Sequence, residues 1–244
     1  MTLKCLGSNS SGNCYILESE KEVLILELGL PFSKIKEGLK FKLNKVVGAL
    51  VSHEHGDHAK GVNKALEAGI DVYTSQGTIN KLGTNRRLKP VQHKVVFRLG
   101  EFAIMPFNVI HDCEEPFGFY INHPESGKFF FATDTEYLYD RFDDLSNVMI
   151  ECNYASDILN RNVTSGIIKP FLRDRVIKSH MSLETTIKAL QANDISRVNN
   201  VVLLHLSDSN SDSIRFKNEV EAAIGHSVTI AKKGLEINFN KTGV

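Results

Sequence analysis

The six residues His53-Glu54-His55-Gly56-Asp57-His58 carry three imidazoles and, at Asp57, a carboxylate spaced among them. Imidazole nitrogens and carboxylate oxygens are metal ligands at neutral pH, and their density here points to a metal centre rather than a solvated loop. A tight loop cannot wrap four donors around one ion, because adjacent side chains diverge. The spacing therefore predicts two ions sharing the loop, with His53 and His55 facing one and Asp57 with His58 facing the other. Both sites need donors from elsewhere. Three further short apolar runs supply candidates: Phe107-Ile110 ends at His111, Phe129-Ala132 leads to Asp134, and Val201-Leu204 ends at His205. Sites are commonly assembled where strands end along one sheet edge, so the repetition of this pattern weighs more than any one of the three residues.

The elements that must position these residues are legible in outline. Leu3-Leu6, Cys14-Leu17 and Val23-Leu26 read as strands of a meander, each bounded by polar or glycine punctuation. Pro31 opens a helix-like stretch to Leu39. Val46-Val51 is an almost unbroken apolar run, the pattern of a strand covered on both faces, and it delivers the chain into the histidine loop. A helix is expected from about Ala59. Asp71-Thr74, Phe102-Phe107, Phe117-Asn122 and Lys128-Ala132 read as strands, with Pro124-Gly127 as the turn between the last two. Val148-Glu151 and Val201-Leu204 are short buried strands separated by helix-like segments, among them Ser182-Gln191 with Ser182 as N-cap. Ser211-Ile224 reads as a last helix, followed by strands Val228-Ile230 and Leu235-Phe239. Runs of strands with helices between them predict mixed sheets packed face to face with helices outside.

A length of 244 residues, without repeats, low-complexity tracts or linkers, predicts one domain over 1–244. Lys plus Arg and Asp plus Glu both number 29, so no global basic field draws in a polyanion, and such a substrate must be held locally. Neither a secretory leader nor a membrane-spanning apolar run is evident, and Cys5, Cys14, Cys113 and Cys152 form no CxxC pair; these features predict a cytoplasmic protein with buried thiols.

The four segments around His53-His58, His111, Asp134 and His205, in this order, resemble the metallo-β-lactamase superfamily from about Leu3 to Phe239. The resemblance implies an α/β fold, a four-layer αββα sandwich of two mixed sheets with outer helices. It also implies a binuclear centre in which His53, His55 and His111 hold one divalent metal ion, Asp57, His58 and His205 hold the other, and Asp134 bridges them. Zinc is the first expectation, although manganese or iron suits the same donors. In one place the chain departs from the superfamily: the strand before the histidine loop leads to Glu27 in Leu26-Glu27-Leu28-Gly29, where Asp is usual. Glu27 is expected to orient the loop from behind, and its extra methylene bears on loop geometry. Two divalent ions less Asp57, Asp134 and a bridging hydroxide leave about one positive charge, which suits a phosphate. Asp57 is placed as base or orienting group for the nucleophile.

Fold alone does not decide the reaction. Met149-Ile150-Glu151-Cys152-Asn153 and Ser179-His180-Met181-Ser182 resemble RNase Z-like nucleases, which implies that Glu151 pairs with His180 and that His180 protonates the leaving oxygen. A phosphodiester needs such a donor because an alkoxide leaves poorly without a proton, whereas a thiolate leaves unaided. Ser10-Ser11-Gly12-Asn13, His111-Asp112, Pro116-Phe117-Gly118-Phe119, Glu151-x-Asn153 and His205-Leu206-Ser207-x-x-Asn210 together resemble the compact YycJ-like exonuclease group. This resemblance implies that Ser207 and Asn210 lie at the substrate, while Tyr154-Ala155 stands where that group usually has His-Asp. The interval from Asp134 to His205 is too short for a β-CASP cap, and no RNase Z-type arm is present. The expected activity is a phosphodiesterase or exonuclease acting on DNA or RNA through a metal-bound hydroxide; the alternative is a thioester or lactone hydrolase of the same fold. Lys60 and Lys64, Arg86-Arg87 with Lys89, and Arg173-Asp174-Arg175 are candidate phosphate contacts. Oligomeric state and strand polarity stay open at this stage.

Overall fold

The computed structural model of the chain describes residues 1–242. In chain order, β1 (Thr2–Gly7), β2 (Cys14–Glu18), β3 (Val23–Leu26), β4 (Val46–Leu50), β5 (Val72–Thr74) and β6 (Leu88–Pro90) belong to a first sheet. A second sheet takes β7 (Phe97–Leu99), β8 (Phe102–Asn108), β9 (Phe117–His123), β10 (Gly127–Ala132), β11 (Leu145–Glu151), β12 (Asn200–Leu204) and β13 (Val228–Ile230), and β14 (Leu235–Asn238) returns to the edge of the first. The orders are β14-β1-β2-β3-β4-β5-β6 and β13-β12-β11-β10-β9-β8-β7. Both sheets are mixed: β3 to β6 run parallel, as do β10 to β13, and the remaining pairs are antiparallel.

Side chains alternate across a strand, and here the alternation separates three cores. Phe129 and Phe131 of β10 point inward with Leu3, Tyr15, Leu26 and Leu50, filling the space between the sheets. Phe130 and Ala132 point outward beneath α5 (Ser156–Thr164), α7 (Leu183–Gln191) and α8 (Ser213–Ile224), meeting Ile158, Leu190 and Phe216. On the far side Ile25, Ala49 and Val51 pack under α1 (Phe32–Gly38), α3 (Val62–Glu67) and α4 (Gln76–Leu82). The expected four-layer αββα sandwich is what these three cores describe. Each fully buried Phe contributes roughly 1.5–3 kcal/mol, so the Phe-rich β9 and β10 anchor both interfaces of the second sheet.

Several boundaries differ from the sequence reading. The helix expected from about Ala59 begins earlier, as α2 (Gly56–Ala59), and restarts at α3 after a break at Gly61, whose position against the Leu28 and Leu30 carbonyl oxygens leaves no room for a Cβ. The last helix starts at Ser213, because Asp212 rather than Ser211 caps it, accepting from the Ile214 and Arg215 N–H groups. Ser182 does cap α7, accepting from Thr185 N–H. The short strands β6 and β7 and helix α4 were not expected; with three to seven residues each, they carry too little periodicity to stand out.

At the end of the sandwich where β9 finishes, Glu22, Glu101 and His123 converge. The Glu125 N–H donates to His123 Nδ1 at 3.1 Å, so the ring proton sits on Nε2 and faces Glu22 at 3.4 Å. A nitrogen that carries a proton cannot ligate a cation. Glu22 also accepts from Glu101 N–H at 2.8 Å, which makes the trio a polar strut between the sheets.

Candidate metal centre

Six strands that deliver chemistry leave their sheets at C-terminal ends. In the first sheet these are β3 and β4, which are parallel. In the second, β10, β11 and β12 are parallel, and β8 runs the same way because both β8 and β10 are antiparallel to β9. Their exits carry Glu27, His53, Asp134, Glu151, His205 and, three residues past β8, His111. Carboxyl ends of parallel strands are where an α/β sheet leaves its loops free to form a site. Glu27, Asp134 and His205 hold left-handed backbone, with φ of 66°, 41° and 53°. Such strain at three buried, non-glycine strand ends persists only where surrounding contacts enforce it.

The histidine loop folds sharply into α2, and Gly29 makes this possible. A Cβ there would lie 1.6 Å from the Asp57 carbonyl oxygen. Leu28 N–H donates to His58 O and Asn13 N–H to Asp57 O, pinning the loop against the end of β3.

Donor atoms of His53, His55 and His111 lie within 4.8 Å of one another, and so do those of Asp57, His58, Asp134 and His205. His55 Nδ1 is 3.1 Å from both His53 Nε2 and His111 Nε2. Asp134 stands between the groups: Oδ1 is 3.1 Å from His205 Nδ1 and 3.3 Å from His58 Nε2, and Oδ2 is 3.7 Å from His111 Nε2. The structure thus brings together all seven residues singled out for metal in the sequence, in the two groupings expected.

The outer nitrogens of three rings are spoken for. His111 Nδ1 lies 2.8 Å from the Ser179 carbonyl oxygen, which can only accept, so Nε2 of the neutral ring is bare and faces inward. His58 Nδ1 contacts Glu27 Oε2 at 3.3 Å, an ion-pair approach rather than an aligned hydrogen bond. Glu27 Oε1 accepts from Ser52 N–H at 3.1 Å. His205 Nδ1 lies 3.0 Å from Glu151 Oε1, and its buried Nε2 has no hydrogen-bond partner. Acceptors behind a ring that push its lone pair inward are the usual support of metal-ligating histidine.

Electrostatics point the same way. Burial pushes His53 well down from the ordinary histidine value and lowers His111 as well. It acts on His58 and His205 too, but there Asp134, and Glu27 or Asp57 with Glu151, outweigh it and hold both rings well above that value. Desolvation alone would raise the Asp57 and Asp134 carboxyls, yet His205 and His58 keep both below the ordinary range. Glu27 is raised, chiefly by burial. The pocket thus holds carboxylates that require compensating positive charge. A divalent cation fits each donor group: ring nitrogens 3.1 Å apart approach the ~3.3 Å edge of a tetrahedron with ~2.0 Å bonds.

Beside the second group, Glu151 is wholly buried and serves four donors. Oε2 accepts from Thr135 N–H at 2.9 Å and Met181 N–H at 3.1 Å; Oε1 faces His180 Nδ1 at 2.7 Å and His205 Nδ1 at 3.0 Å. Burial lowers His180, but Glu151 outweighs it and holds the ring above the ordinary value.

A cleft of about 430 Å³ opens onto both groups, lined by His55, Asp57, His111, Asp134, His180 and His205 among others. Asn210 also lines it, with its Oδ1 accepting from Asn162 Nδ2 at 2.9 Å. Ser207 is placed differently: its Oγ accepts from Asn210 N–H at 3.2 Å, and it borders a neighbouring cleft. Ser207 therefore shapes the turn that presents Asn210. The basic candidates are largely engaged in ion pairs, Lys64 with Glu67, Arg87 with Asp71, Arg173 with Asp174 and Arg175 with Asp112. Sequence reasoning gave no role to Ser52, Asn13 or Ser8. Ser52 Oγ pairs with His53 Nδ1 at 2.8 Å, Asn13 Nδ2 reaches His58 Nε2 at 3.1 Å, and Ser8 Oγ accepts from His205 N–H at 2.9 Å. Asn13 stands out in the sequence only as the end of the Ser10-Asn13 motif, and Ser8 and Ser52 only by adjacency to motifs. No helix among the described residues is long and apolar enough to cross a membrane.

Comparison with known proteins bears on the same residues. A family model described as a β-lactamase superfamily domain matches residues 31–206. The exodeoxyribonuclease WalJ of Streptococcus pneumoniae is 30% identical over 225 residues, covering 84% of this chain and 81% of that protein. The exodeoxyribonuclease YycJ of Bacillus anthracis is 28% identical over 221 residues, covering 84% and 82%. Zinc-bound PqqB from Methylobacterium extorquens shares the fold, with a TM-score of 0.72 at 14% identity over 97% of this chain and 99% of that one. The matched span contains the histidine loop and the strand-end donors His111, Asp134 and His205, and the chain belongs to the β-lactamase superfamily, in the family that includes WalJ and YycJ.

Proposed function

We propose that the protein is a metal-dependent phosphodiesterase that removes nucleotides from nucleic-acid ends, DNA foremost. The names of its relatives aside, the observation that carries this reading is the Glu151–His180 pair, 2.7 Å apart, with His180 lining the metal cleft and Glu151 buried behind it. In this reading His53, His55 and His111 would hold one divalent ion and Asp57, His58 and His205 a second, with Asp134 placed between the two groups. When bound, such ions supply Lewis acidity and an activated water near neutral pH. Zinc is the first choice for this nitrogen-rich set, and a zinc-bound relative of the fold supports it.

The chain's own residues do the rest. Asp57, at the mouth of the cleft, orients the attacking water. His180 keeps its Nδ1 proton directed at Glu151, which leaves Nε2–H free to protonate the departing oxygen. A thioester or lactone would not need that donor, so the pair favours a phosphodiester.

The test is metal-loaded protein incubated with end-labelled single- and double-stranded DNA and RNA, with Asp57→Asn as control. His180→Ala is expected to lose about 10²- to 10⁴-fold in turnover with metal content unchanged. Full nuclease activity in His180→Ala would remove the proposed acid, and preferential thioester turnover by the wild type would replace the reading.

A further inference from the structure

The core between the two sheets is built mainly from Phe, Leu and Ile side chains, and Tyr15 of β2 is wholly buried in it. Its ring packs edge-to-face on Phe131 of β10, with centroids 5.6 Å apart, as a phenylalanine would. A phenol hydroxyl in such a core needs a partner, and this one meets Ser8 Oγ at 2.7 Å. Ser8, one residue past the end of β1, in turn accepts from His205 N–H at 2.9 Å. The contact crosses the sandwich: Tyr15 and Ser8 belong to the first sheet, while His205 follows β12 of the second.

His205 is one of the left-handed residues at the site, with φ of 53°. Beyond β12 the backbone pairing with β11 passes from Leu204 O, which accepts from Cys152 N–H, to Ser207 N–H, which donates to Asn153 O. His205, between them, is held by side chains instead: its N–H by Ser8 Oγ and its carbonyl oxygen by Asn153 Nδ2 at 2.8 Å. These two grips keep a strained peptide in place, and its ring sits with Nδ1 3.0 Å from Glu151 and 3.1 Å from Asp134. The grips differ in what they fix. Asn153 stands in the same sheet as His205, whereas Ser8 ties His205 to the sheet that carries Asp57 and His58. The same loop reaches the other half of this donor group, because Asn13 N–H donates to Asp57 O at 2.7 Å. Residues 8–13 therefore gauge the separation of the two halves. A donor has to be held within about 0.5 Å of its working position. We propose, on the two-ion reading above, that Ser8 and Tyr15 are positioning residues for His205: the hydroxyl pair sets the second metal position and leaves the group of His53, His55 and His111 unaffected. Ser8 holds the His205 peptide, and Tyr15 acts through Ser8.

Ion counting separates this role from a merely structural one. Metal-free wild type, Ser8→Ala, Tyr15→Phe and the double variant are titrated with zinc against a chromogenic chelator. His205→Ala, run alongside, shows which binding step belongs to the second group. Wild type should take two ions. Ser8→Ala should weaken the second by about 10- to 100-fold, the worth of a partner behind a metal ligand, and leave the first unchanged. Tyr15→Phe keeps the ring and its packing, so it folds even if Ser8→Ala does not, and it should weaken the same ion selectively. Adding Tyr15→Phe to Ser8→Ala should cost nothing further, because a residue that acts through another has no effect once that one is gone. Equal weakening of both ions would make the pair a support of the fold alone and overturn the proposal. So would an unchanged second affinity in either single variant. Strictly additive effects would overturn the route from Tyr15 through Ser8. Wild type that takes fewer than two ions defeats the two-ion reading itself, and the proposal falls with it.

Discussion

Glu151→Gln should separate leaving-group protonation from metal chemistry. Glu151 Oε2 receives two backbone N–H groups, from Thr135 and Met181, and these can only donate. The glutamine carbonyl oxygen must take that side, which turns its NH₂ toward His180 Nδ1 and His205 Nδ1, now 2.7 and 3.0 Å from a carboxylate oxygen. Two charge-assisted hydrogen bonds, each contributing about 1.5–3 kcal/mol, become donor opposed to donor. His205 relieves the conflict by moving its proton to Nε2, and His180, protonated on both nitrogens, by giving up its Nδ1 proton. For His205 the bare nitrogen then no longer faces the metal side, and metal affinity should fall about 10- to 100-fold. For His180 the Glu151 anchor of the acid is gone, and reactions that need a proton on the departing oxygen should slow by a further ~10²- to 10⁴-fold. The assay compares two diesters of one nucleotide at saturating metal, one releasing an alkoxide and one releasing nitrophenolate, which leaves without a proton. Glu151→Gln should depress the alkoxide substrate far more than the nitrophenyl one. If both fall by the same factor, Glu151 acts only through the metals and the acid assignment is wrong.

Gly29→Ala drives a Cβ into the Asp57 carbonyl, a clash with backbone that no rotamer relieves; we expect at least about 3 kcal/mol lost in urea denaturation together with reduced metal content. Normal metal content in that variant would show that the loop does not depend on this approach. Because the site carries carboxylates in need of positive charge, adding zinc at ~1,000 times its Kd to chelator-treated protein should stabilise it by about 4 kcal/mol, and a gain of about 8–16 °C in Tm is expected. An unchanged melting curve would argue against a folded-state metal site. Burial holds His123 below the ordinary histidine value even though Glu125, Glu22 and Glu101 pull it upward. The unfolded chain therefore takes up a proton below pH ~6.5 that the native ring refuses, and stability should decline as pH falls through that region until the native ring also titrates. His123→Gln should flatten this decline in denaturant midpoints; an identical slope in both proteins would refute the neutral strut.

Metal chemistry was legible because His53-His58 is dense and because His111, Asp134 and His205 each follow an apolar run that becomes a strand. The same runs revealed the sandwich: Phe129-Ala132 alternates between two cores, and Val46-Leu50 is covered on both sides. Resemblance, not spacing, gave the remaining roles, since nothing local to Glu151 and His180 announces that residues 29 apart in sequence will lie 2.7 Å apart. Ser207 shows the opposite limit. Its neighbourhood points to substrate, and a serine three residues before a turn N–H is also able to cap it, as its Oγ does for Asn210; the backbone geometry that sets this hydrogen bond is not a sequence property. Ser8, Asn13 and Ser52 went without a role because a small polar side chain has no periodicity to expose it.

Helix α6 (Pro170–Ser179) was the least legible element. Periodicity identifies a helix by the stripe it buries, but Leu172 and Val176 of α6, with Ile168 just before it, face a cleft rather than a core. A helix under selection for stability alone would place charges there. Its one firm attachment to the metal donors is the Ser179 carbonyl, which both ends the helix and fixes the proton of His111 on Nδ1. The next residue is His180. One turn of chain therefore holds both a metal-facing imidazole, through Ser179, and the proposed acid, through the Glu151 contact of His180.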